Sequence, residues 1–268
     1  MIGLAITLLV LFVIYLFMIA PKNKKEMEKY TKTKYAHRGL HNEKRAENSM
    51  SAFVAATEAG YGIELDVRLS KDGKLVVFHD DTLDRVCGVK GRVVDFTAKE
   101  LSRLSLNGTG EGIPLFSDVL SAVDGRVPLL VEIKEDITNT DTSAAVCNML
   151  KNYKGEYIIE SFNPLSLKTV KKRMPEVSRG ILCTKYFNAK KPSSIKFLPL
   201  QLLMANVLCR PAFVAYDHMY PNAIGLKIVR AFFGVPTFAW TIRSQEEELV
   251  AYKHGFDAVI FENYLPEK

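Results

Sequence analysis

Eight short runs of apolar, β-branched or aromatic residues recur along this chain, at 34–37, 62–67, 128–133, 157–160, 179–183, 212–217, 236–242 and 257–261. Between them lie stretches with helical periodicity, at 49–59, 115–122, 140–152, 164–173, 194–208, 222–233 and 245–254. Strands as continuously apolar as VPLLVEI and DAVIF suit a parallel sheet covered by helices. Eight of them within 268 residues predict a closed TIM-type (β/α)8 barrel rather than an open doubly wound sheet. Two segments depart from simple alternation. KLVVFHD (74–80) follows the turn SKDG, so it is expected to pair back on the second strand as a hairpin. The next segment, 81–113, is too long and polar for a plain βα loop. Its TAKE (97–100) is a capping box that should start a short helix, as Ser244 with Glu247 should start the last one. The expected domain is therefore a barrel over 34–268, with 81–113 as a small insertion after the second strand.

The N-terminus is of another kind. Ile2 to Ala20 is 19 residues without a charge, about 28 Å as a helix at roughly 1.5 Å per residue, enough to span a bilayer core. A cleaved signal peptide would need a basic start, a short apolar stretch and a small-residue cleavage site. Here no Lys or Arg precedes the run, and Pro21 and a lysine cluster follow it. An uncleaved transmembrane anchor over 1–20 and a basic juxtamembrane linker over 21–33 are expected. Six Lys against two Glu in 21–34 place that side in the cytoplasm by the positive-inside bias. The expectation is thus a single-pass protein of the cell membrane with a cytoplasmic domain.

Removing that flank's net +4 from the total of +6 leaves about +2 for the rest. A nearly balanced domain carries no nucleic-acid footprint, whereas the lysines suit anionic lipid headgroups. Cys87, Cys147, Cys183 and Cys209 are far apart and form no C-x-x-C, so they are expected as free, buried thiols.

Charged residues placed inside apolar strands carry the functional signal. Glu64 and Asp66, in GIELDV, are two apart on one strand and share a face. Glu132 ends another strand, with Lys134 two positions on. Burying such carboxylates without a cation or partner is costly. Three of them, with no cysteine and no H-x-x-x-H nearby, suit one hard cation, Ca²⁺ or Mg²⁺. His37 closes the first strand and His79 ends the apolar run VVFHDD. Two imidazoles beside a cation can supply a general base and a general acid near neutral pH. Arg38 and Lys134 can neutralise a phosphate's remaining charge. His41, His218 and His254 have no such setting.

The motifs AHRG, ENS, ELDVRLSKDGKLVVFHDDTLDR, VEIK, SFNP, WTI and GFDAVIFEN, in this order over about 35–263, resemble the glycerophosphodiester phosphodiesterase family. The resemblance implies a TIM-type barrel that hydrolyses phosphodiesters with a divalent cation. On the matching positions it implies His37 and His79 as the acid–base pair and Glu64, Asp66 and Glu132 as metal ligands. Arg38 and Lys134 would contact the phosphate, and Asn48, beside Glu47 in the family's E-N motif, would lie near the bound substrate. Trp240 is expected to line the substrate pocket, although a core position suits it equally. Two departures from the family pattern, Ile242-Arg243 after WT and Phe261-Glu262 at the last strand's end, fall on the expected substrate rim. Hydrolysis of glycerophosphodiesters to glycerol 3-phosphate and an alcohol is the leading expectation. The alternatives are lysophospholipase D-type cleavage of lysophospholipids, which suits an anchored barrel, and a non-catalytic anchored barrel that binds lipid headgroups.

Overall fold

The computed structural model describes residues 1–22, 27–136, 139–187 and 192–267. Lys24, Lys25 and Glu26 of the basic flank, and the terminal Lys268, lie outside the described residues. Among the described residues nine strands form one sheet: β1 Tyr35–Ala36, β2 Gly62–Leu69, β3 Leu75–Val77, β4 Leu129–Ile133, β5 Tyr157–Ser161, β6 Arg179–Cys183, β7 Phe213–Asp217, β8 Thr237–Ile242 and β9 Ala258–Phe261. β1 pairs in parallel with both β2 and β9, so all the strands except β3 close into an eight-stranded parallel TIM barrel. β3 lies antiparallel to β2, with Val67 opposite Val77, which is the expected hairpin.

The period-two alternation of side chains divides each strand between two environments. Ile63, Leu65 and Val67 of β2 join Leu129, Val131 and Ile133 of β4 in the outer core beneath the helices. Facing inward, Tyr35, Leu130, Ile158, Phe213, Phe238 and Ala258 form an apolar plug at the barrel's lower end. Phe213 and Phe238 lie 4.7 Å apart between ring centroids. Gly180 makes room for them, since a Cβ there would stand 2.1 Å from the Phe213 ring. Met27 and Tyr30 reach the same plug from the short helix Glu28–Thr31. With the floor filled by hydrocarbon, the charged inward residues of the sequence are left to the opposite, C-terminal end.

The insertion builds a satellite core from Val76, Phe78, Leu83, Val86, Val93, Leu101, Leu106 and Ile113. Thr97 and Glu100 form the expected capping box, and the Glu247 amide donates to Ser244 Oγ at 3.1 Å. One expectation needs correcting. The stretch 194–208 is broken into a 3₁₀ segment, Pro192–Phe197, and two short helices, Leu198–Gln201 and Asn206–Cys209. Pro199 has no N–H for an interior helical bond and so sits in a helix's first turn. Leu203, at φ 59°, then turns the chain out of helical geometry.

The apolar N-terminal helix, Ile2–Ile19, is long and apolar enough to cross a membrane. Its last turns are fastened to the barrel. Ile19 is buried, Tyr15 Oη donates to the Leu202 carbonyl at 2.9 Å, and Arg210 donates to the carbonyls of Phe17 and Ala20 at 2.6 and 3.1 Å. Asn206 Nδ2 donates to the Ile19 carbonyl at 3.3 Å. Carbonyls that would be orphaned at this helix end are thereby satisfied. The four cysteines are free, and all but Cys87 are buried.

Candidate active site

The first strand delivers its chemistry through a sharp turn. The His37 amide donates to the Phe261 carbonyl at 2.8 Å, extending the β1–β9 ladder. Arg38 and Gly39 then enter the left-handed region, at φ 56° and 80°. A Cβ on Gly39 would lie 2.8 Å from the backbone of Ala52, so the H-R-G sequence requires its glycine. This turn points the Arg38 amide at Glu64 Oε2, 2.9 Å away, and brings the Arg38 side chain to Glu47 at 2.8 Å and Asp66 at 3.5 Å.

Registry across the barrel builds the acidic part. Asp66 of β2 is opposite Glu132 of β4, and Glu132 is opposite Glu160 of β5. With Glu64, these residues form a buried carboxylate cluster. Asp66 is the best compensated of the four: Asn48 Nδ2 donates to it at 2.8 Å, and Lys134 Nζ lies at 3.3 Å. Burial opposes its ionisation, but Lys134, His79 and Arg38 together hold its carboxyl well below the usual range. Glu64 is driven the other way, by burial first and then by Asp66, Glu132 and Glu160. Burial pushes Glu132 up to about 7 despite Lys134 Nζ, 2.6 Å away. Glu160 is raised well above its usual value by burial and by Glu132.

Each of the two imidazoles rests on a carboxylate. His37 Nδ1 is 2.6 Å from Glu262 Oε2, and His79 Nδ1 is 2.6 Å from Asp80 Oδ1. Each carboxylate is in turn held by an arginine, Glu262 by Arg243 at 2.8 Å and Asp80 by Arg85 at 2.6 Å. Burial opposes ionisation of Glu262, yet His37, His41 and Arg243 keep it far below the normal carboxylate range. Asp80 is likewise lowered to about 2, with Arg85 and His79 overcoming burial. An ionised partner at Nδ1 makes that nitrogen the proton donor and leaves Nε2 for chemistry. Burial lowers both imidazoles, and in each the carboxylate partially offsets it.

His37, Arg38, Glu64, His79, Glu132, Lys134, Glu160 and Trp240 line one cavity of about 190 Å³. Trp240 packs edge-on to Phe162 with centroids 5.4 Å apart. Asp66 and Asn48 sit behind this wall, bonded to each other by both side-chain and backbone groups. A larger groove of about 550 Å³, lined by Leu40, Tyr61, Phe261 and Tyr264, holds neither His37 nor His79. The smaller cavity is therefore the candidate chemical site. The sequence did not point to Glu160, Asp80 or Arg85 for roles here, and it placed Glu262 on the substrate rim rather than behind an imidazole. Glu160 carries a weaker form of the signal at Glu64, a carboxylate that follows an apolar pair near the end of a strand, with Ser161 after it. Glu262 has no local signal, because its partner lies on the strand that closes the barrel.

Two imidazoles, buried carboxylates and fixed cations at the C-terminal mouth of a TIM barrel define the class of a phosphoric diester hydrolase. The model of the glycerophosphoryl diester phosphodiesterase family matches residues 37–264, and the chain belongs to this family. It is 33% identical over 237 residues to a glycerophosphodiester phosphodiesterase of Caldanaerobacter subterraneus subsp. tengcongensis, covering 84% of this chain and 91% of that relative. A solved phosphodiesterase of Oleispira antarctica, in complex with the product sn-glycerol-3-phosphate, superposes with a TM-score of 0.70 at 26% identity, covering 85% of this chain and 92% of that one. More distantly, the chain is 30% identical over 149 residues to a rat lysophospholipase D, 51% of this chain and 46% of that relative.

Proposed function

We propose that the protein is a membrane-anchored, divalent-cation-dependent enzyme that hydrolyses glycerophosphodiesters to glycerol 3-phosphate and an alcohol. The observation that carries this is the pair of carboxylate-backed imidazoles on the wall of a cavity that also holds a buried carboxylate cluster. The cluster fits a hard cation: Glu64 Oε1 and Glu160 Oε2 are buried with no hydrogen-bond donor among the described residues, and the ligand atoms offered are all oxygens. Glu64, Asp66 and Glu132 would hold the ion, which when bound supplies charge to polarise a phosphoryl oxygen.

The chain's own residues do the rest. Arg38 and Lys134 sit among the carboxylates and offer positive charge to the bound phosphate. Of His37 and His79, one takes the proton of the attacking hydroxyl, from water or from a neighbouring substrate group, at Nε2. The other gives its proton to the departing alcohol oxygen. Glu262 and Asp80 keep both rings in the needed tautomer. Trp240 and Phe162 present apolar surface to the organic part of the substrate.

A second reading, with lysophospholipids as substrates, is favoured by one feature: the long apolar helix is fastened to the barrel by Tyr15, Asn206 and Arg210, which would hold the cavity close to lipid. A panel of glycerophosphocholine, glycerophosphoethanolamine, glycerophosphoglycerol and lysophospholipids, assayed with and without chelator, separates the two. Turnover of the soluble diesters, abolished by chelator, is expected. His37→Ala and His79→Ala should each lower turnover by roughly 10²-fold or more. A substrate with an activated leaving group should rescue only the variant that lacks the acid. Turnover indifferent to chelator, or undiminished in both variants, would overturn the proposal.

A further inference from the structure

We propose that Glu160 is an additional ligand of the cation, so that this chain binds its ion through a carboxylate of β5 as well as those of β2 and β4. The inference rests on the cation-dependent reading above and extends its ligand set. Parallel pairing puts Glu160 beside Glu132 in register, on the inward face of its strand. One oxygen each from Glu64, Glu132 and Glu160 falls within 4.8 Å of the others, a grouping able to converge on one ion.

The four carboxylates differ in what already satisfies them. Asp66 has Asn48, Lys134 and Arg38. Glu132 has Lys134, and Glu64 accepts from the Arg38 amide. Glu160 is 1% exposed, and its Oε2 has no donor among the described residues. Its surroundings are the cavity wall itself. A carboxylate enclosed in this way needs a proton or a cation, because removing it from water costs several kcal/mol that nothing nearby returns. Lys134, the nearest ammonium group to the cluster, is engaged with Glu132 and Asp66. An ion drawn to the orphan oxygens of Glu64 and Glu160 would satisfy both at once. Hard divalent cations accept several oxygen ligands, Ca²⁺ up to about eight, so a further carboxylate does not exceed what the ion can hold.

The test uses the full chain in detergent micelles, stripped of metal and titrated calorimetrically with CaCl₂ and separately with MgCl₂. Glu160→Gln preserves volume and removes the charge. It should weaken binding of whichever ion the wild type binds more tightly by tenfold or more. Glu132→Gln is the reference and should abolish binding. Glu160→Leu, melted without metal, should be no less stable than wild type, because it relieves repulsion in the cluster. Its melting temperature should respond less to added ion. If Glu132→Gln loses the ion while Glu160→Gln keeps it within about threefold, below the roughly 1.4 kcal/mol of a tenfold change, Glu160 is not a ligand and the cation reading survives. If the wild type binds neither ion, both fall.

Discussion

His37 Nδ1 and Glu262 Oε2 lie 2.6 Å apart although 225 positions separate them in the chain. The contact exists because β9 pairs with β1 and closes the barrel. Arg243, on the loop after β8, completes the arrangement through Glu262 Oε1 at 2.8 Å. Arg243 and Glu262, one residue from each of the two segments expected on the substrate rim, are thus an ion pair behind one imidazole. The same support recurs behind His79, in Asp80 and Arg85.

Glu262→Gln should therefore lower kcat by roughly 10²-fold, on the scale of a lost acid or base, and change KM little. The ionised carboxylate raises the His37 pKa against burial and Arg38. Its loss should move the His37 limb of the pH–rate profile to lower pH, and Glu262→Asp should restore part of the rate. A wild-type profile in Glu262→Gln would show that the contact plays no part in turnover.

Stability without cation should depend on pH in an unusual direction. Burial raises Glu132 from an ordinary value of 4.5 to about 7, and Glu64 and Glu160 also rise. A group with a raised folded pKa contributes stability that is complete below its unfolded pKa and lost as pH climbs through the folded one. Asp66 and Glu262 are depressed, so their contribution is constant above about pH 5. His37 and His79, lowered by burial, contribute in the opposite sense as pH rises towards 6.5. The three raised carboxylates outnumber them, so the melting temperature of chelated protein should fall as pH rises from about 4.5 through about 7. Saturating Ca²⁺ or Mg²⁺ should reverse most of that fall, and a flat profile in chelator would contradict it.

Gly39→Ala should destabilise the fold at the turn that carries His37 and Arg38. The added Cβ meets Ala52 at 2.8 Å, and the backbone is at φ 80°. Strain of this kind costs roughly 1–3 kcal/mol, which lowers the melting temperature by about 2–4 °C per kcal/mol in a chain of this size. Scanning calorimetry on the two proteins measures it, and an unchanged melting temperature would argue against so tight a turn.

The apolar helix should make the protein resist extraction by alkaline carbonate, and a reporter fused after Lys268 should read cytoplasmic. Recovery of a shortened chain in the medium would instead identify Ile2–Ile19 as a cleaved signal sequence.

The sequence by itself determined the barrel, because eight apolar runs alternating with helical ones leave few ways to bury both faces of every strand. It also drew attention to Glu64, Asp66 and Glu132, as carboxylates placed in or at the end of apolar strands, and to His37 and His79, as imidazoles that follow apolar runs. Local pattern was weaker where backbone chemistry interrupts periodicity, as Pro199 and Leu203 do in 194–208. Tertiary structure alone decided which carboxylate meets which base. Glu262 reaches His37 through barrel closure, Glu160 joins Glu132 through the register of β5 on β4, and Asn48 turns to Asp66. Hydrophobic pattern says which face of a strand is inside, but the partner across the barrel depends on registry and closure, set by contacts between residues far apart in the chain.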